Sequence, residues 1–282
     1  MKGIANANGC GLPANLKGGC TGHVVTIMKS DDQAGLGNFF GIALHIAEDY
    51  ASMSRAAAAW LGDAIHARPD SLLCLATGAS PTGAYAGLAE QCAATPELFK
   101  KVRYIKMDEW GDLPMEDQAS SEFYLRKHVL GPLRVDEQRY FAWNSRPLDQ
   151  TAECRRVADW VQANGPISIA IIGMGLNGHV GFNEPSDALP CGPHVAELSP
   201  MSQQHSMLGA QKGKIHSGYT LGMDDILRSH KVLLLVSGAS KAEPMRELFS
   251  RRITTRFPAS LLWLHPNLSI FCDKASISLI QH

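Results

Sequence analysis

Thirteen residues, Gly173-Met-Gly-Leu-Asn-Gly-His-Val-Gly-Phe-Asn-Glu-Pro185, gather an amide (Asn177), an imidazole (His179) and a carboxylate (Glu184). Imidazole titrates closest to neutral pH of all side chains, and a carboxylate partner can hold its tautomer and tune its basicity. The set reads as acid–base machinery. It follows the run Ile167–Ile172, and a β-branched run ending in glycines reads as a buried strand feeding a loop. A turn that needs positive φ accounts for the glycines alone. It does not account for Asn177, His179 and Glu184 lying between and beyond them.

Gly173-Met-Gly175-Leu-Asn-Gly178 also matches the dinucleotide fingerprint GxGxxG. That fingerprint works only where its last glycine opens a helix that receives a pyrophosphate. Here the chain runs on through Gly181-Phe-Asn-Glu-Pro185, which cannot propagate a helix, so no nucleotide cofactor is expected. Two further groups follow apolar runs. Asp108-Glu109 supplies adjacent acids after Val102–Met107, and Thr77-Gly78-Ala79-Ser80 supplies hydroxyls and backbone N–H groups after Leu72–Ala76. The second can cradle a phosphate or simply cap a helix, and it lacks the lysine and spacing of a nucleotide P-loop. Asp108 or Glu109 alone reads as a solvated acid or a cap; beside His179 and Glu184 a carboxylate can take a proton from carbon next to a carbonyl. His194, His205 and His216 with Cys191 fit no compact metal-ligand spacing, so no metal is expected. Trp263 and His265 read as packing residues.

The elements that must position these groups alternate. Apolar positions from Ile46 through Tyr50, Met53, Ala57, Leu61 and Ile65 recur at helical spacing and predict a long amphipathic helix. Strands are expected at 72–76, 102–107, 167–172, 231–236 and 269–272, with helices at 84–91, 122–129, 152–162 and from about 242 to Phe249. This alternation predicts an α/β fold: a doubly wound, mostly parallel sheet with helices on both faces, in a single domain. Ligands bind such sheets beyond the carboxyl ends of the strands, where all three chemical groups fall.

The 282 residues suffice for one full α/β core spanning 37–282, and the Gly-, Asn- and Ala-rich residues 1–36 are expected to form a poorly structured tail. Lys plus Arg number 26 against 27 Asp plus Glu, without a long run of one sign. That balance gives no electrostatic footprint for nucleic acid or a membrane surface. The apolar runs are strand-sized, too short to span a bilayer. Seven scattered cysteines suit a reducing cytoplasm better than a disulfide framework.

Taken together, Leu75-Ala-Thr-Gly-Ala-Ser-Pro81, Lys106-Met-Asp-Glu-Trp110 and Gly173–Pro185 resemble the glucosamine-6-phosphate deaminase/isomerase family over roughly residues 37–276, with support from Tyr219-Thr-Leu-Gly222, Gly238-Ala-Ser-Lys241 and Leu264-His-Pro266. The resemblance implies isomerisation of a 2-amino-2-deoxyhexose 6-phosphate, then loss of ammonia to leave a ketose 6-phosphate. It implies no organic or metal cofactor, a phosphorylated amino sugar as the partner, and is compatible with a homo-oligomer. Carried onto matching positions, His179 would open the sugar ring, Glu184 would orient and charge-balance it, and Asp108 would shuttle a proton between C2 and C1. Asn177 stands where some members carry Asp. Thr77, Gly78, Ala79 and Ser80 would cradle the phosphate, while Glu109 and Gly175 would shape the pocket.

The family's phosphate-binding arginine and lysine would fall at Leu208 and near His216, and neither is matched. His205, Lys212 and Lys214 are the nearby replacements. Ser202-Gln-Gln-His-Ser-Met-Leu208 resembles instead the branch assigned to galactosamine 6-phosphate. Because the sequence runs only a few residues past Ser276, no counterpart of the C-terminal helix of regulated hexameric members is expected. Two rival readings share the fold. One is a 6-phosphogluconolactonase-type hydrolase, which lacks the Asn183-Glu184-Pro185 motif. The other is a non-catalytic sugar-phosphate sensor, for which no helix-turn-helix pattern precedes the domain.

Overall fold

The structure, a computed structural model, describes residues 42–280; the tail expected at 1–36 lies outside them. Ten strands and six α-helices follow in chain order. They are β1 (Ala43–Ala47), α1 (Tyr50–Ala67), β2 (Leu72–Leu75), α2 (Ala79–Ala94), β3 (Arg103–Lys106), β4 (Asp108–Trp110), α3 (Ser121–Leu125), β5 (Tyr140–Phe141), α4 (Gln150–Asn164), β6 (Ile169–Ile172), β7 (His194–Glu197), β8 (Ser217–Thr220), α5 (Met223–Leu227), β9 (Lys231–Val236), α6 (Ala242–Phe249) and β10 (Leu268–Asp273). Seven strands pair in the order β1-β10-β9-β6-β2-β3-β5, every pair parallel.

Strand alternation divides the core between the two sheet faces. Leu73, Leu75, Tyr104, Ile169, Ile171, Leu233 and Leu235 pack against Met53, Ala57, Leu61 and Ile65 of α1 and Ala84, Tyr85 and Leu88 of α2. Their neighbours Leu72, Cys74, Ile105, Ala170, Ile172, Val232 and Leu234 pack on the other face against α4, α5 and α6 through Val157, Met223, Ile226, Met245 and Leu248. This is the doubly wound sheet the alternation predicts.

The sequence reading needs correction at the amino end. Ile46 belongs to β1, which pairs with β10 at Cys272, and the helix begins at Tyr50. Asp49 stops the helix from extending backwards: its side chain accepts the Ser52 N–H at 2.7 Å in a capping box. The helix predicted at 84–91 runs from Ala79 to Ala94, with Pro81 in its first turn, where proline costs little. That predicted at 122–129 divides into α3 and a π-helical turn, Arg126–Leu130.

A second sheet of order β4-β8-β7, wholly antiparallel, lies beyond the carboxyl ends of the main strands. Only Met107 separates β4 from β3, and Asp108 pairs with Thr220. Between β7 and β8 the chain makes an excursion, closed by the Leu198 N–H donating to the His216 carbonyl at 2.9 Å. It rests on a small core of its own that includes Trp110, Leu113, Phe182, Leu198, Leu208 and Ile215.

Candidate active site

Four neighbouring parallel strands, β9, β6, β2 and β3, deliver their carboxyl ends to one region. β2 leads into 77–80, β3 into Asp108, β6 into 173–185 and β9 into 237–241. Gly78, in positive φ, opens α2, and the N–H groups of Gly78, Ala79 and Ser80 make no hydrogen bond among the described residues. They are unspent donors at the positive end of a helix. Ser80 Oγ lies 3.4 Å from Ser237 Oγ, which joins this turn to the loop after β9. Lys241 ends that loop, and its ammonium donates to the Met174 carbonyl of the loop after β6. Burial holds the Lys241 pKa below its ordinary value.

In the loop after β6, Asn177 Oδ1 accepts the His179 backbone N–H at 3.1 Å, while Asn177 Nδ2 donates to Glu184 Oε2 at 2.8 Å. His179 Nδ1 stands 3.5 Å from Glu184 Oε2. Burial alone would raise the Glu184 pKa; the hydrogen bond and charge of His179, with hydrogen bonds from Ser202 and Asn177, bring it down to about 2. Glu184 is therefore a fixed anion rather than a proton carrier at neutral pH. The imidazole lies over Gly175, where an added Cβ would sit 2.4 Å from Cε1 and Nε2. Only glycine leaves room for the ring.

Asp108 is buried, and its Oδ2 lies 3.5 Å from where a Cβ would stand on Gly181. This carboxylate thus abuts the same loop two residues beyond His179. Burial, and then the charge of Glu109, push its pKa up to about 7 against the opposing pull of Lys106. It receives no hydrogen bond among the described residues. A carboxyl group with this pKa suits proton transfer at neutral pH.

Glu109, expected at the pocket wall, is elsewhere. It is fully buried, pairs with Lys106 Nζ at 2.6 Å and accepts the N–H groups of Ser121 and Glu122 at the start of α3. Side chains alternate along a strand, so the residue after Asp108 must point away from it. Lys106 also pairs with Glu122 at 2.9 Å, closing a buried ionic cluster behind the site.

His205 remains largely solvent-accessible, with its ring 5.9 Å from that of Trp110. Partial burial, and then the neighbouring basic groups including Lys241 and Lys212, lower its pKa, which disfavours a standing positive charge there at neutral pH. Lys212 and Lys214 are exposed. Sequence reasoning missed Lys241 as a site cation, although Gly238-Ala-Ser-Lys241 was itself a visible motif and the strand before it was found. His194 and His216 are not brought together: each Nδ1 is engaged locally, with the Gly192 carbonyl and Gln203 Oε1. His265, with Nε2 on the Ser229 carbonyl, is a buried packing residue.

Comparison with known proteins agrees with this architecture. Residues 47–270 match the family model of glucosamine-6-phosphate isomerases/6-phosphogluconolactonase. AgaI of Escherichia coli strain K12, to which a deaminase activity is ascribed, is 35% identical over 220 residues, covering 78% of this chain and 87% of that protein. Glucosamine-6-phosphate deaminase of Geobacillus sp. strain WCH70 is 33% identical over 83% of this chain and 94% of its own. A solved monomeric glucosamine-6-phosphate deaminase superposes with a TM-score of 0.79 at 33% identity, over 84% of this chain and 99% of that one. The 6-phosphogluconolactonase of Trypanosoma brucei, at 18% identity and a TM-score of 0.68 over 86% of this chain and all of its own, shares the fold. With its parallel sheet, its Gly-His loop and relatives of this similarity and coverage, the chain belongs to the glucosamine-6-phosphate isomerase/6-phosphogluconolactonase family.

Proposed function

We propose that this protein is an amino-sugar-6-phosphate deaminase/isomerase that converts a 2-amino-2-deoxyhexose 6-phosphate to a ketose 6-phosphate and ammonia. The observation that carries the reading is the placing of two differently tuned carboxylates around one loop: Glu184 within the loop after β6, and Asp108 at the end of the neighbouring strand, against Gly181. Glu184 is held ionised against His179, while Asp108, with its raised pKa, is poised to exchange a proton. Groups driven apart in this way divide acid–base labour.

In this reading His179 carries the O1 proton to the ring oxygen and frees the aldehyde. Asp108 then removes the C2 proton as O1 is protonated, giving an enol-type intermediate whose electron pair the amino group supports. Asp108 returns its proton to C1, and an iminium forms at C2. Water adds there, ammonia departs, and the ketose 6-phosphate remains. The phosphate rests on the N–H groups of 78–80 and the hydroxyls of Thr77, Ser80 and Ser237, with Lys241 as its cation. Support comes from the Ser80–Ser237 contact and the unspent donors of α2. The exposed His205, Lys212 and Lys214 are the further candidates for contact with the phosphate.

The segment after Ser202 favours galactosamine 6-phosphate over its glucosamine epimer, on its resemblance to that branch. Cys74, Cys92, Cys154, Cys191 and Cys272 are free thiols, as a reducing cytoplasm would leave them. No helix among the described residues is long and apolar enough to cross a membrane. Parallel assays of ammonia and ketose-phosphate release from both epimers test the proposal. Turnover of neither, with hydrolysis of 6-phosphogluconolactone instead, would overturn it.

A further inference from the structure

Ser202 lies in the excursion between β7 and β8, far in sequence from the acid–base loop, yet its hydroxyl reaches both members of the His179–Glu184 pair. It donates to Glu184 Oε1 and lies 3.3 Å from His179 Nδ1. Ser199 Oγ, 3.1 Å away, donates to Ser202 Oγ, and also takes the Ser202 backbone N–H at 3.2 Å. Ser202 is itself buried, at 2% exposure.

Counting donors fixes the protons. A hydroxyl has one hydrogen, and an ionised carboxylate only accepts. Ser202 commits its hydrogen to Glu184, so it can offer Nδ1 of His179 nothing but a lone pair. The other neighbour of Nδ1, Glu184 Oε2, likewise only accepts. Nδ1 must therefore carry the ring proton, and the lone pair must lie on Nε2, beside Gly175. We propose that Ser202 is a positioning residue, whose hydroxyl, bound to Glu184, holds His179 as the Nδ1–H tautomer with Nε2 presented as the base.

The geometry also excludes a nucleophilic role for Ser202. In a serine hydrolase the imidazole separates nucleophile from carboxylate, one on each ring nitrogen. Here both stand at Nδ1, and the hydroxyl would lose its proton to the carboxylate it already serves rather than to Nε2, which lies beside Gly175. The Ser-His-Glu set is an orienting device.

The kinetic part of this inference rests on the proposed reaction; the tautomer does not. Ser202→Ala should lower kcat about tenfold while KM stays within about twofold, because the change affects the base and not the phosphate seat. Ser202→Thr, which keeps the hydroxyl, should recover most of that loss. In a Glu184→Gln background the Ser202→Ala loss should largely vanish, since the hydroxyl acts through the carboxylate. Nitrogen-15 NMR of the imidazoles, with His179 assigned by its absence in His179→Gln, should show the Nδ1–H form in the wild type and a mixture in Ser202→Ala. An Nε2–H wild type, an unchanged kcat in Ser202→Ala, or losses that add fully in the double variant would overturn the role. A wild-type protein that turns over neither amino sugar would remove the proposed reaction, while the tautomer measurement still decides the place of Ser202.

Discussion

Replacing Asp108 by asparagine should destroy turnover and, at the same time, stabilise the protein in a pH-dependent way. The carboxyl is buried, with its pKa raised from 3.8 to about 7. In the unfolded chain an aspartate releases its proton near 3.9. Between these values the folded state binds the proton more tightly, so the group costs nothing well below pH 4 and its full penalty appears only above pH 7. Three units at about 1.36 kcal/mol each place that penalty near 4 kcal/mol, with about 2.5 kcal/mol of it arising between pH 5 and pH 8. Asparagine keeps the shape and cannot ionise. Urea unfolding at pH 5 and pH 8 should therefore show the variant gaining about 2–3 kcal/mol more, relative to wild type, at the higher pH. Meanwhile kcat should fall at least about a hundredfold, with sugar-phosphate binding little changed. A stability difference that does not vary with pH would refute the buried ionisable base, and near-wild-type turnover would refute its role at carbon.

Other perturbations separate the remaining parts. His179→Gln should impair ring opening most, so an open-chain substrate analogue should restore much of its rate and none of that of Asp108→Asn; the reverse pattern would exchange the two roles. Glu184→Gln removes an anion held at about 2. Glu184 contributes stability above its unfolded pKa, near 4.3, which disappears as pH falls toward 2; the variant should therefore be less stable than wild type at pH 7 and equal to it near pH 2 in urea titrations. Gly175→Ala places a Cβ 2.4 Å from the imidazole, and the ring must turn aside; kcat should drop at least about tenfold with thermal stability little altered. Lys241→Ala should raise KM roughly ten- to several-hundredfold while Lys214→Ala leaves it unchanged and Lys212→Ala has an intermediate effect. Equal KM values in all three would move the phosphate elsewhere.

What could be read along the chain follows from how local each feature is. Strands β2, β3, β6, β9 and β10 are dense apolar runs, and the rule that ligands gather at their carboxyl ends brings Thr77–Ser80, Asp108 and His179 together without coordinates. β1 was absorbed into a helix because Ile46 fits the helical spacing of α1, and only pairing with β10 makes it a strand. β7 and β8 are stabilised across an excursion of intervening residues, which leaves little periodic signal in four-residue stretches. Glu109 looked like a site residue because it adjoins Asp108, yet adjacency in a strand sends the two side chains to opposite faces. Lys241 and Ser202 were hidden for the converse reason. Each reaches the site from another element, and such convergence is a property of tertiary structure.

The excursion between β7 and β8 leaves and re-enters the antiparallel sheet at paired residues, Glu197 opposite Ser217. Its apolar side chains rest on a core separate from those of the seven-stranded sheet. A different segment entering and leaving at these two points would alter what meets the sugar and which hydroxyl holds the imidazole, provided that it still packs on Trp110 and Phe182, while the seven-stranded sheet keeps its own core. Substrate preference can drift in this architecture while the proton-transfer groups stay fixed.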